Sequence, residues 1–119
     1  MYDYDVVCIG GGPGGSASAM RCADRGKKVA IIEARARNGS GGTCVNRGCI
    51  PTKALMASAN LYASIKEAKT YGINVDMSAV SVDFKAIDKR KNAVINGLGF
   101  GLEAMLWKKS RGIDVIKGR

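Results

Sequence analysis

The chain has 119 residues, enough for one small domain, and its hydrophobic fraction of 46% excludes a disordered tail. A net charge of +9 is compatible with a nucleic-acid partner. However, the densest basic run, Lys89-Arg90-Lys91, falls in a predicted helix beside Asp88 and has few aromatic neighbours. A solvent-exposed helix face therefore explains the charge better, and no nucleic-acid partner is expected.

The four cysteines do not follow the pattern of a secreted disulfide scaffold or of a zinc site. Cys8 and Cys22 lie in apolar or small-residue stretches and are predicted to be buried thiols. The remaining Cys-x4-Cys pair, in a chain without histidine, lacks the four ligands of structural zinc, so no metal is expected. Neither a secretory signal nor a run of about 18 apolar residues is found. These features predict a soluble protein without a membrane segment, in the cytoplasm or alternatively in a mitochondrial or plastid matrix.

A βαβ unit is predicted at the start of the chain. Its expected elements are a buried strand at Tyr4–Ile9, a helix at Ser16–Arg25 ended by Gly26, and a second buried strand at Lys28–Glu33. The run Gly10-Gly11-Gly12-Pro13-Gly14-Gly15 joins the first strand to the helix. Pro13 suits the first helical position, where a missing N–H costs nothing.

Each glycine of the Gly-x-Gly-x-x-Gly pattern has a mechanical role. Gly10 permits a tight turn, Gly12 lets a pyrophosphate approach the backbone, and Gly15 lets the helix pack on the strand. The helix start supplies unpaired N–H groups for phosphates. Glu33 follows Gly15 by 18 residues, close to the roughly 20 expected of a ribose-binding acid. The combination predicts a dinucleotide site without separating FAD from NAD; the alternative is a glycine-rich turn that binds nothing.

The stretch Gly41–Lys53 holds two cysteines, Cys44 and Cys49, at a spacing of five. In an undistorted helix they would point to different faces, whereas a disulfide needs Cα atoms roughly 4.4–6.8 Å apart. A bond between them therefore requires a bent backbone, which Gly48 and Pro51 permit. A disulfide over so short a loop adds little stability to the fold and is easily reduced, which favours a redox role. The alternative is a pair of free thiols or an inert bridge.

The remaining segments are predicted as two long helices and a third strand. Arg35 and Arg37 lie in the loop from Ala34 to Gly42, where they either approach a phosphate or adenosine or are simply exposed. The later elements are a helix at Ala54–Lys69 with Leu55, Ser58, Tyr62, Ile65 and Ala68 on one face, a loop from Tyr71 to about Ser81, a helix at Phe84–Lys109 capped by Asp83, and a strand at Ile113–Lys117.

The apolar stripe of the second long helix comprises Phe84, Ile87, Val94, Leu98, Leu102, Met105 and Leu106. Gly97, Gly99 and Gly101 in its middle predict a close crossing with another backbone. Trp107 is expected to pack rather than to act in function.

The two motifs together resemble the amino-terminal part of the FAD- and disulfide-containing pyridine nucleotide oxidoreductases. The resemblance rests on Gly10–Gly15 with Glu33, and on the stretch Gly41–Lys53, and it covers the whole chain. Ile50-Pro51-Thr52-Lys53 is most similar to the dihydrolipoyl dehydrogenase branch, although Thr52 stands where that branch has serine. The loop between Glu33 and Gly41 is also slightly longer than the family pattern. A glutathione- or mercuric-reductase type is the alternative, and a non-catalytic dinucleotide-binding module is another.

The resemblance implies an α/β fold: a Rossmann-like FAD-binding unit with an incomplete, three-stranded parallel sheet and long helices after the redox motif. It implies a disulfide between Cys44, the interchange thiol, and Cys49, which lies against the flavin. It places both cysteines at a helix start, where the dipole would lower the thiol pKa values. Lys53 would lie near the flavin ring. The other implied FAD contacts are Gly10, Gly12, Pro13, Gly15, Glu33, Ala34, Gly42, Thr43, Gly118 and Arg119.

The resemblance also implies parts that these 119 residues do not contain. Residues 1–119 would form the first part of an FAD-binding domain, without its later strands, an NAD domain and a dimerisation domain. The family's catalytic His–Glu pair lies in the dimerisation domain, and this chain has no histidine. The implied partners are dihydrolipoamide or a lipoyl domain, NAD, and a second subunit in a homodimer. The chain alone is expected to be inactive, and its unpaired sheet edges are expected to expose apolar surface.

Overall fold

A computed structural model describes residues 1–34, 40–106 and 111–118. Its elements are β1 (Val6–Ile9), α1 (Pro13–Ala23), β2 (Val29–Glu33), α2 (Gly42–Asn46), α3 (Cys49–Glu67), α4 (Phe84–Leu106) and β3 (Ile113–Lys117), with short 3-10 turns at Ala68–Tyr71 and Met77–Ala79. The predicted α/β class is confirmed. The expectations for Arg35, Arg37, Trp107 and Arg119 lie outside the described residues.

The three strands form one parallel sheet in the order β1-β2-β3. Val6 pairs with Val29, and Val29 pairs with Ile113. Because β2 lies in the middle, its apolar side chains are covered on both faces, and Val29 and Ile31 are completely buried. Ala19, Leu106 and Ile113 complete the core. This arrangement is one half of a doubly wound sheet.

Helix α1 begins at Pro13, the position that its missing N–H suits, and thus three residues before the predicted bound at Ser16. The helix ends earlier than expected, at Ala23, and Gly26 follows with φ +77°, which a side chain would strain. Cys8 and Cys22 are free and half-buried rather than fully buried, and both pack against the core.

The redox stretch is more helical than the sequence predicted. A short helix, α2, precedes the bend, and α3 begins at Cys49, five residues before the expected start at Ala54. Pro51 does not bend the backbone: it is buried in the first turn of α3, where helix N–H groups have no intrahelical partner to lose. The bend lies instead at Arg47 and Gly48, both of which have non-helical backbone angles.

Helix α4 begins where the sequence predicted. The Asp83 carboxylate accepts hydrogen bonds from the N–H groups of Lys85, at 2.9 Å, and Ala86, at 3.1 Å, and therefore caps the helix. The prediction of a close backbone crossing at Gly97, Gly99 and Gly101 is wrong. A Cβ added at any of the three would meet no atom within 4 Å in the described part of the chain. The described backbone nearest to these glycines is therefore not in close contact with α4 at this point.

Helices α3 and α4 pack on each other and project from the sheet. Much of their apolar surface is exposed, including Leu55, Tyr62, Phe84, Leu98 and Met105 from the two predicted apolar faces. Within the basic run, Arg90 bonds to α3 and Lys91 pairs with Asp88, while Lys89 is exposed. Among the described helices, none combines the length and apolar character needed to cross a bilayer.

Candidate functional site

The glycine-rich turn lies at the carboxyl edge of the sheet, between β1 and α1. Gly10 has φ +91°, and its N–H donates to the Ile32 carbonyl at 2.7 Å. A Cβ on Gly15 would overlap the Gly10 carbonyl oxygen, which confirms that only glycine lets α1 pack so closely on β1. A Cβ on Gly10 or Gly14 would meet nothing within 4 Å. The turn is therefore tight on its inner side and open beside the start of α1, as a phosphate cradle requires.

The acidic residue expected to bind ribose lies directly on this turn. The Glu33 side chain is buried, and its Oε2 accepts a hydrogen bond from the Gly11 N–H at 2.6 Å. A Cβ on Gly11 would come within 2.9 Å of the same oxygen. The carboxylate and the turn are thus fixed together, although they are 22 residues apart in the chain.

The second motif packs on the first by close backbone contact. The Gly41 N–H donates to the Gly11 carbonyl at 3.0 Å. A Cβ on Gly42 would approach the Gly12 Cα to 2.9 Å, so a side chain there would separate the two loops. Gly41 and Gly42 also have positive φ, at +95° and +58°. The start of α2, which carries Cys44, is therefore held against the dinucleotide turn.

The predicted bend between the two cysteines is confirmed. The Thr43 carbonyl accepts from the N–H groups of both Arg47, at 2.9 Å, and Gly48, at 2.7 Å, which ends α2 in a tight turn. A Cβ on Gly48 would lie 3.2 Å from that carbonyl oxygen. Helix α3 then starts at Cys49 in a new direction. The turn brings two cysteines that a continuous helix would separate onto adjoining helix ends.

Cys44 and Cys49 are free thiols that interact with each other. The hydrogen bond between their side chains raises the pKa of Cys44, and desolvation and the charge of Cys49 act in the same direction. A hydrogen bond from the Cys49 backbone opposes this rise in pKa without cancelling it. The expected lowering of the Cys44 pKa is therefore wrong, because the hydrogen bond with the Cys49 side chain raises this pKa. The proximity of the two thiols is what exchange chemistry needs.

The other predicted cofactor contacts divide into three groups. Lys53 is exposed and lies four residues after Cys49 on α3, hence on the same face of the helix. Gly118 lies at the carboxyl edge of the sheet, where its N–H donates to the Glu33 carbonyl at 3.2 Å. Ala34 and Thr43 are exposed near this edge and the α2 start, respectively.

Sequence inspection missed several residues that build this site. Gly11 and Gly41 form the contact between the loops, and their membership in glycine runs was the available sign. Asn46 holds the start of α2 through its side-chain amide, which donates to the carbonyls of Gly42, at 2.8 Å, and Ser40, at 3.4 Å. Ser40 is buried and donates to Glu103 at 3.2 Å, a contact across 63 residues that no local pattern indicates. No group of potential metal ligands occurs among the described residues.

The fold and this site define an α/β protein in which a dithiol adjoins a dinucleotide-binding turn. Residues 4–115 match the family described as pyridine nucleotide-disulphide oxidoreductases, and the chain belongs to this family. It is 44% identical over 116 residues to a dihydrolipoyl dehydrogenase of Chlamydia pneumoniae. The aligned region covers 98% of this chain and 24% of that protein.

Similar relatives occur in other organisms. The chain is 42% identical over 116 residues to a dihydrolipoyl dehydrogenase of Bacillus subtilis, covering 98% of this chain and 23% of the relative. It is also 42% identical over 117 residues to dihydrolipoyl dehydrogenase 2, mitochondrial, of Arabidopsis thaliana, covering 98% of this chain and 22% of that protein. The chain thus spans about a quarter of the length of these relatives.

Proposed function

We propose that this chain is the first part of the FAD-binding domain of a dihydrolipoyl dehydrogenase and carries its redox disulfide. One observation above all supports the proposal: the backbone contact of Gly42 with Gly12, which joins the dithiol motif to the dinucleotide turn. The names of the relatives favour dihydrolipoamide over glutathione or mercuric substrates. The same relatives favour the cytoplasm or an organelle matrix as the compartment.

The residues present fit an FAD molecule. The cofactor would be held by the open side of the turn at Gly10 and Gly14, by the start of α1 at Pro13, and by Glu33. Gly12, Gly15, Ala34, Gly42, Thr43, Lys53, Gly118 and Arg119 remain proposed contacts. When bound, FAD supplies the two-electron acceptor for the dithiol and the hydride for NAD.

We propose the cysteine roles that the family resemblance implies, with Cys44 as the interchange thiol. A thiolate of dihydrolipoamide attacks the sulfur of Cys44 in the oxidised pair and forms a mixed disulfide, while Cys49 leaves as a thiolate. The second substrate thiol then displaces Cys44, which yields lipoamide and the dithiol form of the chain. Two electrons and two protons thus pass from substrate to the cysteine pair. Lys53 is exposed on the Cys49 face of α3, and its proposed position is near the flavin ring.

The chain spans about a quarter of the length of its relatives, so we propose complete turnover for the whole protein and not for these 119 residues. We propose that the acid–base pair and the NAD site belong to further domains of the whole protein, and that the protein is a homodimer with a lipoyl domain or free dihydrolipoamide as substrate. NAD reduction is therefore not expected from this chain alone, and its half-reaction is the appropriate test.

The test combines intact mass and flavin fluorescence. The oxidised chain is treated anaerobically with dihydrolipoamide, and we expect a gain of two hydrogens that Cys44→Ser or Cys49→Ser abolishes. Cys22→Ser is the matched control and keeps the mass change. Added chain should also quench the fluorescence of free FAD. A chain whose cysteine pair never forms a disulfide, or that leaves FAD fluorescence unchanged, would contradict the proposal.

A further inference from the structure

A partly buried polar contact connects helix α4 to the loop that precedes the first cysteine. Ser40 is only 4% exposed, and its hydroxyl donates to the Glu103 carboxylate at 3.2 Å. Hydrogen bonds to a charged acceptor are stronger than those between neutral groups, particularly away from water. This bond therefore fixes the end of the loop against α4.

From Ser40, the contacts lead directly to the redox motif. The carbonyl of Ser40 accepts from the Asn46 side chain, which also bonds the Gly42 carbonyl. Gly41, the next residue, bonds the dinucleotide turn. Movement of Ser40 would thus shift the start of α2, the helix that carries Cys44.

Helix α4 makes a second polar contact, on the far side of the cysteines. The Arg90 guanidinium donates through Nη1 to the Ala54 carbonyl at 3.1 Å, one turn after the start of α3 at Cys49. Arg90 and Glu103 are 13 residues apart, which corresponds to about 20 Å along a helix. A single rigid helix therefore contacts the chain both before Cys44 and after Cys49.

We propose that Glu103 and Arg90 are positioning residues that hold α2 and α3 at the separation at which Cys44 and Cys49 bond. Disulfides tolerate only a narrow range of Cα separations, so a shift of either helix changes the ease of bond formation. The proposal extends the proposed function, since it assumes that the cysteine pair is redox-active.

The experiment measures the thiol–disulfide equilibrium of the pair in glutathione buffers. Glutathione disulfide oxidises the two thiols to the Cys44–Cys49 disulfide and leaves two molecules of glutathione, and mass spectrometry gives the oxidised fraction. Glu103→Ala is expected to shift the equilibrium toward the dithiol by about fivefold, the size of one lost hydrogen bond. Glu103→Gln keeps an acceptor oxygen for Ser40 and should restore most of the wild-type value. Glu67→Ala, on α3 but distant from the cysteines, is the control.

Two further variants make the outcome specific. Ser40→Ala should shift the equilibrium in the same direction as Glu103→Ala, and the double variant should shift it by less than the sum of the two single changes, because both of them remove the Ser40–Glu103 bond. Arg90→Ala should also shift the thiol–disulfide equilibrium toward the dithiol, whereas Lys89→Ala should leave it unchanged. Circular dichroism establishes that each variant is folded; if Glu103→Ala does not fold, Ser40→Ala decides the question.

The results separate this proposal from the proposed function. Folded Glu103→Ala and Ser40→Ala variants with the same equilibrium as Glu67→Ala would overturn the positioning role while leaving the redox assignment intact. A wild-type chain that forms no Cys44–Cys49 disulfide in any of the buffers would instead overturn the proposed function, and the positioning role with it.

Discussion

Two regions of this chain are stabilised in different ways. The sheet unit, consisting of β1, α1, β2 and β3, surrounds a buried core in which Val29 and Ile31 are completely inaccessible. The helical hairpin, consisting of α3 and α4, exposes Leu61 by 64% and Phe84 by 78%. The hairpin gives the molecule dimensions of 70 × 26 × 19 Å and a radius of gyration of 20.0 Å. A compact domain of this length would have a radius of gyration of about 14 Å.

The redox motif lies where these two regions meet. Gly41 and Gly42 dock on the glycine turn of the sheet unit, whereas Cys49 begins the first helix of the hairpin. The sheet unit thereby provides a rigid base for one cysteine, and the hairpin provides the other. The contrast shows that the cofactor turn obtains its order from local burial, while the geometry of the cysteine pair depends on the packing between the regions.

The largest expected difference comes from truncating apolar side chains in each region. Ile31→Ala removes a fully buried side chain from the sheet and should lower the free energy of unfolding by about 4 kcal/mol. Leu61→Ala removes a side chain that is largely exposed and should cost less than about 1 kcal/mol. Urea unfolding followed by circular dichroism measures both. Equal losses would show that the hairpin is as well buried as the sheet unit.

Glycine-to-alanine substitutions should change the free energy of unfolding in opposite directions in the two regions. Gly15→Ala forces a methyl group into the Gly10 carbonyl and should destabilise the sheet unit by about 3 kcal/mol. Gly97→Ala adds a methyl group in open space within α4 and should stabilise the chain by about 0.8 kcal/mol, because alanine favours a helix. The same unfolding measurement applies. If Gly97→Ala instead lowered the free energy of unfolding, that result would support the predicted close crossing of α4 with another backbone, which the structure contradicts.

The smallest expected effect concerns the pH dependence of the reactivity of Cys44, which lies where the sheet unit meets the helical hairpin. The pKa of Cys44 is raised, mainly by its hydrogen bond with Cys49, so its thiolate form develops at higher pH than that of an ordinary cysteine. Alkylation of Cys44 by iodoacetamide should therefore have a midpoint above that of the unfolded chain. Cys49→Ser removes the sulfur partner and should lower the midpoint. Peptide mapping by mass spectrometry follows Cys44 alone, and an unchanged midpoint in Cys49→Ser would contradict this cause.

Several features could not be predicted from the neighbouring residues in the sequence. The residue pattern began this helix at Ala54 because Pro51 suggested a break, whereas the resemblance implied a helix start at the cysteines. A proline in the first helical turn loses no hydrogen bond, and α3 begins at Cys49. The three glycines of α4 suggested a crossing, but whether another backbone is nearby is not a local property. The raised pKa of Cys44 likewise depends on a neighbouring sulfur and not on the helix end alone.

The sequence by itself determined the βαβ unit, the Asp83 cap and the bounds of β3 at Ile113–Lys117. These features follow from backbone preferences and from apolar runs that act within a few residues. Only the tertiary structure decided that Gly42 lies on Gly12 and that Ser40 bonds Glu103. Such contacts join residues 30 and 63 positions apart, and they form because the sheet, the redox loop and α4 must pack together in one arrangement.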